Sequence, residues 1–231
     1  MKKLLLLFLV SFSFVVSAYA DSKNFSFKAN WTKINVTTPD GFYESSNIYP
    51  DRLEELKTYY PDYLNVRAVL VPKGIPATER LSRYILLVTH KKADKQKITQ
   101  KFFDGLRELM REQQLTLMND YKDMIDDALE GGTSRVLNKY DVEIITEIGE
   151  TVPLGVFIDN EKVISLNIIS NSNISNNGIN YPLLQVNSTS IVFVKNKIVY
   201  VYIYSDYDSE KDIIWIEDKT KETVNLLIKN N

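Results

Sequence analysis

Cysteine is absent from the sequence and histidine occurs once, at His90. Without cysteine there is no disulfide, no lipid attachment through a cysteine, no thiolate nucleophile, and no N/S ligand set of the kind that zinc takes. One histidine leaves a Ser-His-Asp triad a single choice of base, and His90 stands beside Lys91 and Lys92 at the end of an expected strand, with no G-x-S-x-G in the chain. Phosphate-cradling loops of the G-x-x-x-x-G-K or G-x-G-x-x-G type are also missing. Gly131-Gly132-Thr133 follows an expected helix and reads as its stop. Beyond the N-terminus no run is apolar for the ~20 residues that a membrane-spanning helix needs.

What the N-terminus does have is a positive start, Met1-Lys2-Lys3, an apolar run to Val16, and Ala18-Tyr19-Ala20 before Asp21. These are the parts of a secretory signal, and they predict cleavage between Ala20 and Asp21 and a periplasmic or secreted product. Residues 21–231 number 211, enough for one globular domain that buries its own core without staples. Loss of Lys2 and Lys3 takes the 28 basic residues to 26 against 30 acidic, a net charge of −4. An acidic balance argues against nucleic acid or an anionic membrane as the partner.

The most apolar part of that domain is Thr189 to Tyr207. Ile191 to Val194 and Ile198 to Tyr204 read as two strands joined by Lys195-Asn196-Lys197. Successive side chains of a strand point to opposite faces, so Val199, Val201 and Ile203 share one face and Tyr200, Tyr202 and Tyr204 the other. Neither face is polar, and such a strand needs cover on both sides. Around it the pattern predicts a strand over Phe25 to Val36, a short helix over Asp51 to Tyr59, and strands over Val66 to Val71 and Arg83 to Thr89. A long amphipathic helix is expected at about 96–130, because Ile98, Phe102, Leu106, Leu109, Met110 and further apolar residues recur at intervals of three and four. Strands follow near Tyr140 to Ile148, Leu154 to Ile158 and Val163 to Ile169, then a polar Asn/Ser-rich loop over Asn171 to Asn180. A closing helix spans about 209–228, with Ser209 and Asp212 at capping-box spacing.

Strands joined by hairpins, with helices set apart, predict an α+β domain with a mainly antiparallel sheet of six to eight strands. This order of elements resembles that of the α/β/α sandwiches of the PsbP and Mog1 type, a resemblance that implies a fold and no activity.

Two candidate sites emerge. Asp206, Asp208, Glu210 and Asp212 alternate, and Glu217 stands eleven residues after Asp206, which is the carboxylate spacing of a Ca²⁺ loop. Lys211 occupies the place where such a loop turns on glycine, and the same acids suit the N-terminal end of a helix. Tyr200, Tyr202 and Tyr204, joined by Tyr59, Tyr60 and Tyr63, would form an aromatic face with hydroxyl rims that could hold a small ligand or a partner protein. The alternative is that they pack under a helix. The expectation is an exported binding or accessory protein that uses no cofactor, with a carboxylate-dependent hydrolase acting on envelope glycans as the second reading.

Overall fold

The computed structural model describes residues 23–45, 54, 57–58, 60–75, 80–112, 130–135, 137–138, 144–176 and 179–231. The signal-like segment 1–20, most of the expected short helix at 51–59, and residues 113–129 of the expected long helix lie outside the described residues.

The elements bounded within the described residues are nine strands and three helices. In chain order they are β1 (Asn24–Ala29), β2 (Thr32–Thr37), β3 (Phe42–Glu44), β4 (Leu64–Pro72), β5 (Arg83–His90), α1 (Lys91–Asp94) and α2 (Gln100–Glu112), followed by β6 (Ile144–Asp159), β7 (Val163–Asn176), β8 (Ile179–Val194), β9 (Lys197–Asp206) and α3 (Glu210–Lys229). Seven strands form one antiparallel sheet in the order β3-β4-β5-β9-β8-β7-β6, and β1 and β2 form a sheet of their own. The architecture is therefore the expected α+β one.

β9 lies in the middle of the seven strands, between β5 and β8. Its two apolar faces are covered differently. On one side Val199, Val201 and Ile203 pack with Ile85, Leu87, Val186 and Val192 beneath Ile216, Val224 and Leu227 of α3 and beside Ala29, Ile34 and Val36 of the β1–β2 hairpin. On the other side the cover is in two parts. Phe103 of α2, with Ile98, Leu106 and Met110, packs on Ile164, Ile191, Phe193 and Ile198. Beyond α2 the tyrosines pack beside Val66, Val69, Val71, Leu86 and Val88 of β4 and β5, with Tyr60 against them. Tyr200 touches both groups and marks the line between them.

Several expected boundaries move, each for a local reason. The single strand over Phe25 to Val36 is a hairpin, broken at Asn30, whose φ of 55° is in the left-handed region that asparagine tolerates. The turn between β8 and β9 has two residues and not three: Lys195 and Asn196 both carry positive φ, 48° and 59°, and Val194 pairs with Lys197. Two consecutive left-handed residues make the tight turn that matches the twist of the flanking strands. The Asn/Ser-rich segment over Asn171 to Asn180 is mostly strand, because Ser170 to Asn176 pairs in unbroken register with Ile179 to Gln185. The two strands expected within Tyr140 to Ile158 are one, β6, which runs through Pro153 with three register shifts against β7. Proline and bulges are tolerated there because β6 is the sheet edge.

The long helix is also revised. A turn at Lys95 and Gln96 separates α1 from α2, and residues 130–135 remain helical past Gly131-Gly132, where a stop was expected. A Cβ on Gly131 would sit 3.2 Å from Arg135 Nη1, so the missing side chain lets that guanidinium fold back while its Nε donates to the Thr58 carbonyl at 2.8 Å.

The α2 layer rests on Phe103, which is fully buried, with its ring stacked on Phe193 at 5.4 Å between centroids. Truncating a buried Phe removes its transfer free energy and leaves a cavity, at a cost of about 3–5 kcal/mol. Urea unfolding of Phe103→Ala should show a loss of that size, whereas Phe102→Ala, at a side chain 55% exposed, should stay within about 0.5 kcal/mol of the parent.

Candidate functional site

The structure brings Tyr200, Tyr202 and Tyr204 onto one face of β9, as their alternation requires, and adds Tyr84, Tyr43 and Tyr60 to them. Tyr84 faces Tyr204 across the β5–β9 pair, and their rings stack at 4.5 Å with an interplanar angle of 16°. Tyr200 and Tyr202 stack along the strand at 6.3 Å and 8°. The Tyr60 hydroxyl donates a hydrogen bond to that of Tyr204.

Burial dominates the chemistry of these phenols. It pushes Tyr60 well above the ordinary tyrosine range, with the neighbouring Tyr204 and Tyr84 adding to the effect. It also raises Tyr202, Tyr200 and Tyr204, the last partly offset by the hydrogen bond from Tyr60. The face is thus a packed aromatic layer whose hydroxyls partly satisfy one another, closer to the packing alternative for these tyrosines than to an open surface. Of the two other tyrosines that were expected to join, Tyr63 is exposed and meets the His90 ring in a tilted contact at 5.6 Å, and Tyr59 lies outside the described residues.

Tyr60 also forms part of the wall of a cleft of about 410 Å³ at the start of β4. Phe27, Pro61, Leu64 and Val66 supply further apolar wall, while Lys57, Arg67 and Lys91 supply positive charge and Asp62 negative. Neither Tyr200, Tyr202 nor Tyr204 lines it; they form the layer on which Tyr60 rests. Sequence reasoning missed this site because its residues come from β1, β4, the segment before it and the start of α1, with no motif joining them. Arg67 is held in place at its back. Its Nη2 meets Asp94 Oδ2 at 2.5 Å, its Nε donates to Thr89 Oγ1 at 2.8 Å, and Thr89 Oγ1 donates to the same Asp94 oxygen at 2.8 Å. Asp94 is 5% exposed, so this is a buried ion pair with its remaining hydrogen bonds in place, the arrangement that makes such a pair tolerable.

The acidic stretch is not drawn together as a metal site. Among the described residues no group of three His, Asp or Glu side chains is placed to hold a metal ion. Asp206 is bound by the Arg80 guanidinium through both oxygens. Asp212 accepts from the amides of Asp208 and Ser209 at 3.0 and 3.1 Å and from Arg83 Nη2 at 2.9 Å. Glu217 faces Asn167, whose Nδ2 donates to it at 3.3 Å, and Lys221 at 3.5 Å. Asp208 and Glu210 are exposed in the first turn region of α3. Alternate positions converge on a cation only if the chain loops, and here the stretch passes from strand into helix, so the carboxylates fan outward. The capping box expected at Ser209 and Asp212 is present.

Burial works against ionisation at Asp212, but its two amide donors and Arg83 outweigh it and hold the carboxyl below its ordinary range. Asp159 is held down by Arg111 and then Arg107. His90 serves as the N-cap of α1, its Nδ1 accepting from the Lys92 amide at 3.1 Å.

No family model and no curated protein matches the sequence. Among solved structures, the chain is similar to the Ran-binding protein Mog1p of Saccharomyces cerevisiae, at 11% identity over 88% of this chain and 93% of that one, with a TM-score of 0.38. It is similar to a variant of protein Mog1 at 11% identity over 88% and 94% of the two chains, with a TM-score of 0.37. A superposition this loose carries no argument about what the chain binds.

Neutral tyrosines are the form that the packed face stabilises. Because burial raises Tyr60, Tyr202 and Tyr204 above their unfolded values, their contribution to stability is fully present below about pH 10 and is lost as pH rises beyond it. In an alkaline titration followed by tyrosinate absorbance and circular dichroism, ionisation of these three should coincide with unfolding. Complete ionisation of all tyrosines with the fold intact would contradict the packing described.

Proposed function

We propose that this chain is an exported binding or accessory protein that holds a ligand or partner in the cleft beside Tyr60, whose wall rests on the aromatic layer. The observation that carries the reading is the shared wall. Tyr60 connects a layer of six tyrosines to a cleft of about 410 Å³, within the ~300–1,000 Å³ range of ligand pockets. An apolar wall of Phe27, Tyr60, Leu64 and Val66, with Lys91 at the edge and the ion-paired Lys57 and Arg67 beside it, suits a compact molecule or side chain with an apolar body and a polar or negative group. Arg67 comes to the task already oriented by Asp94 and Thr89, which lowers the ordering cost of binding. Export rests on the N-terminal pattern from Met1 to Ala20. No helix among the described residues is long and apolar enough to cross a membrane.

A carboxylate-dependent hydrolase, the second reading, requires a pair of carboxyls in which one is kept protonated. At Asp159 and Asp212 the environment acts in the opposite direction and favours the ionised form.

The test is native mass spectrometry of the protein isolated gently from the exported fraction of expressing cells. The polypeptide mass should correspond to a chain beginning at Asp21, and a proportion of molecules should carry an added mass. That added mass should be lost in Tyr60→Ala and in Lys91→Glu, with circular dichroism unchanged. An uncleaved chain confined to the cytoplasm would overturn export. An added mass indifferent to both substitutions would overturn the cleft.

A further inference from the structure

Trp31 is 89% exposed, the most exposed large apolar side chain among the described residues. A flexible tail could carry such a residue at no cost, but this one stands on a braced platform. It occupies the second position of the two-residue loop between β1 and β2, after Asn30 in the left-handed region, with Ala29 and Thr32 paired on either side. Ala29 and Ile34, the buried residues nearest the tip, are fully enclosed. Lys195 Nζ donates to the Lys33 carbonyl at 3.0 Å, and Asn35 is bonded to Asn231 at the end of α3 through both its amide and its carbonyl, at 2.9 and 2.7 Å. The indole is therefore held out in water by a rigid hairpin.

Its surroundings are predominantly basic. Lys28 and Lys33 face each other across the hairpin directly behind the tip, and Lys195 reaches over from the β8–β9 turn. That turn abuts the α1 region, where Lys197 Nζ donates to the carbonyls of Asp94 and Gln96 at 2.6 Å each and the Ile98 amide donates to Asn196. Lys92, Lys95 and Lys97 project from that region. All six of these lysines outside the Lys197 contact are exposed, and among the described residues none is ion-paired. The acid among them, Asp94, is buried and already neutralised by Arg67. The β6–β7 turn at the same end adds Glu161 and Lys162, which leaves the balance unchanged. A chain of net charge −2 thus carries one strongly basic end, and the negative surplus lies elsewhere.

We propose that this end is a membrane-surface docking site, with Trp31 seated at the headgroup level of an anionic phospholipid bilayer and the surrounding lysines held to its negative surface. Indole prefers the bilayer interface, where its apolar body is covered and its N–H stays hydrated. Clustered lysines gain from an anionic leaflet within a Debye length of it, and several together supply the second signal that one inserted side chain lacks. An acidic surface alone would explain use of the lysines but not the rigid display of the indole. The net charge, which taken as an average argues against an anionic membrane, conceals this segregation. The proposal is independent of the cleft at Tyr60.

The test uses the protein as purified, parent and variants in the same processing state by intact mass, mixed with phosphatidylcholine vesicles and with vesicles containing phosphatidylglycerol. Trp215→Phe leaves Trp31 as the only tryptophan. Its emission should shift to the blue with the anionic vesicles and not with the neutral ones, and rising salt should reverse the shift. Lys28→Glu/Lys33→Glu/Lys195→Glu should lower the partition coefficient about tenfold or more, and Trp31→Ala should lower it several-fold, both with the far-ultraviolet spectrum of the parent. No binding to anionic vesicles at low salt would overturn the proposal. So would binding that neither variant weakens, or capture by polyglutamate or duplex DNA under conditions where the vesicles capture nothing.

Discussion

The requirement that both faces of β9 be covered governs the rest of the molecule. Val199, Val201 and Ile203 on one side and Tyr200, Tyr202 and Tyr204 on the other leave no face that can meet water at low cost. At roughly 25 cal/mol per Å² of apolar surface, burying such a strand on both sides is worth more than any single polar contact in the chain. The strand accordingly sits between β5 and β8 and not at an edge, and two layers are drawn over it. α3 and the β1–β2 hairpin form one layer. Among the described residues, α2 over one part and Tyr60 over the tyrosines form the other.

The polar features follow from that placement. Because α3 must return across the sheet directly after β9, Asp206 to Glu217 is pulled straight from strand into helix, and Asp212 becomes its cap while Asp206 and Asp212 take arginine partners. Arg83 links the two elements, donating to Ser205 Oγ at 3.2 Å and to Asp212 while lying over the Trp215 ring at 4.2 Å. Because α2 covers only part of the second face, the tyrosines beyond it pack on one another and on Tyr60, which joins their layer to the cleft. Because the turns of β6–β7 and β8–β9 meet α1 and the hairpin at one end of the sheet, lysines far apart in sequence are gathered there.

The legible part of the fold was the part written in local pattern. The alternation of β9, the spacing of α3 and its Ser209–Asp212 cap are each contained in one continuous run of residues, and they were readable as they stand. The Asn/Ser-rich run to Asn176 was not, because no intrinsic preference makes it a strand; it is extended because β8 pairs with it residue by residue. The break at Asn30 was hidden for a similar reason, since alternation continues through a two-residue turn almost undisturbed. The grouping of Tyr200, Tyr202 and Tyr204 was legible, but Tyr84 stacks on Tyr204 only through the β5–β9 register. The cleft and the basic end were invisible because each is assembled from several segments, and the summed charge of the chain cancels the very asymmetry that the fold creates.

Native-state hydrogen exchange is the direct test of β9 as the anchor. If the doubly covered strand holds the fold, the amides of Val199 to Ile203 and of their partners Ile85 to Val88 should exchange last, and only through global unfolding. The amides of the edge strand β6 should exchange through smaller openings first. Exchange of β9 as fast as that of β6, by local opening under native conditions, would contradict this and show that the sheet does not depend on its central strand.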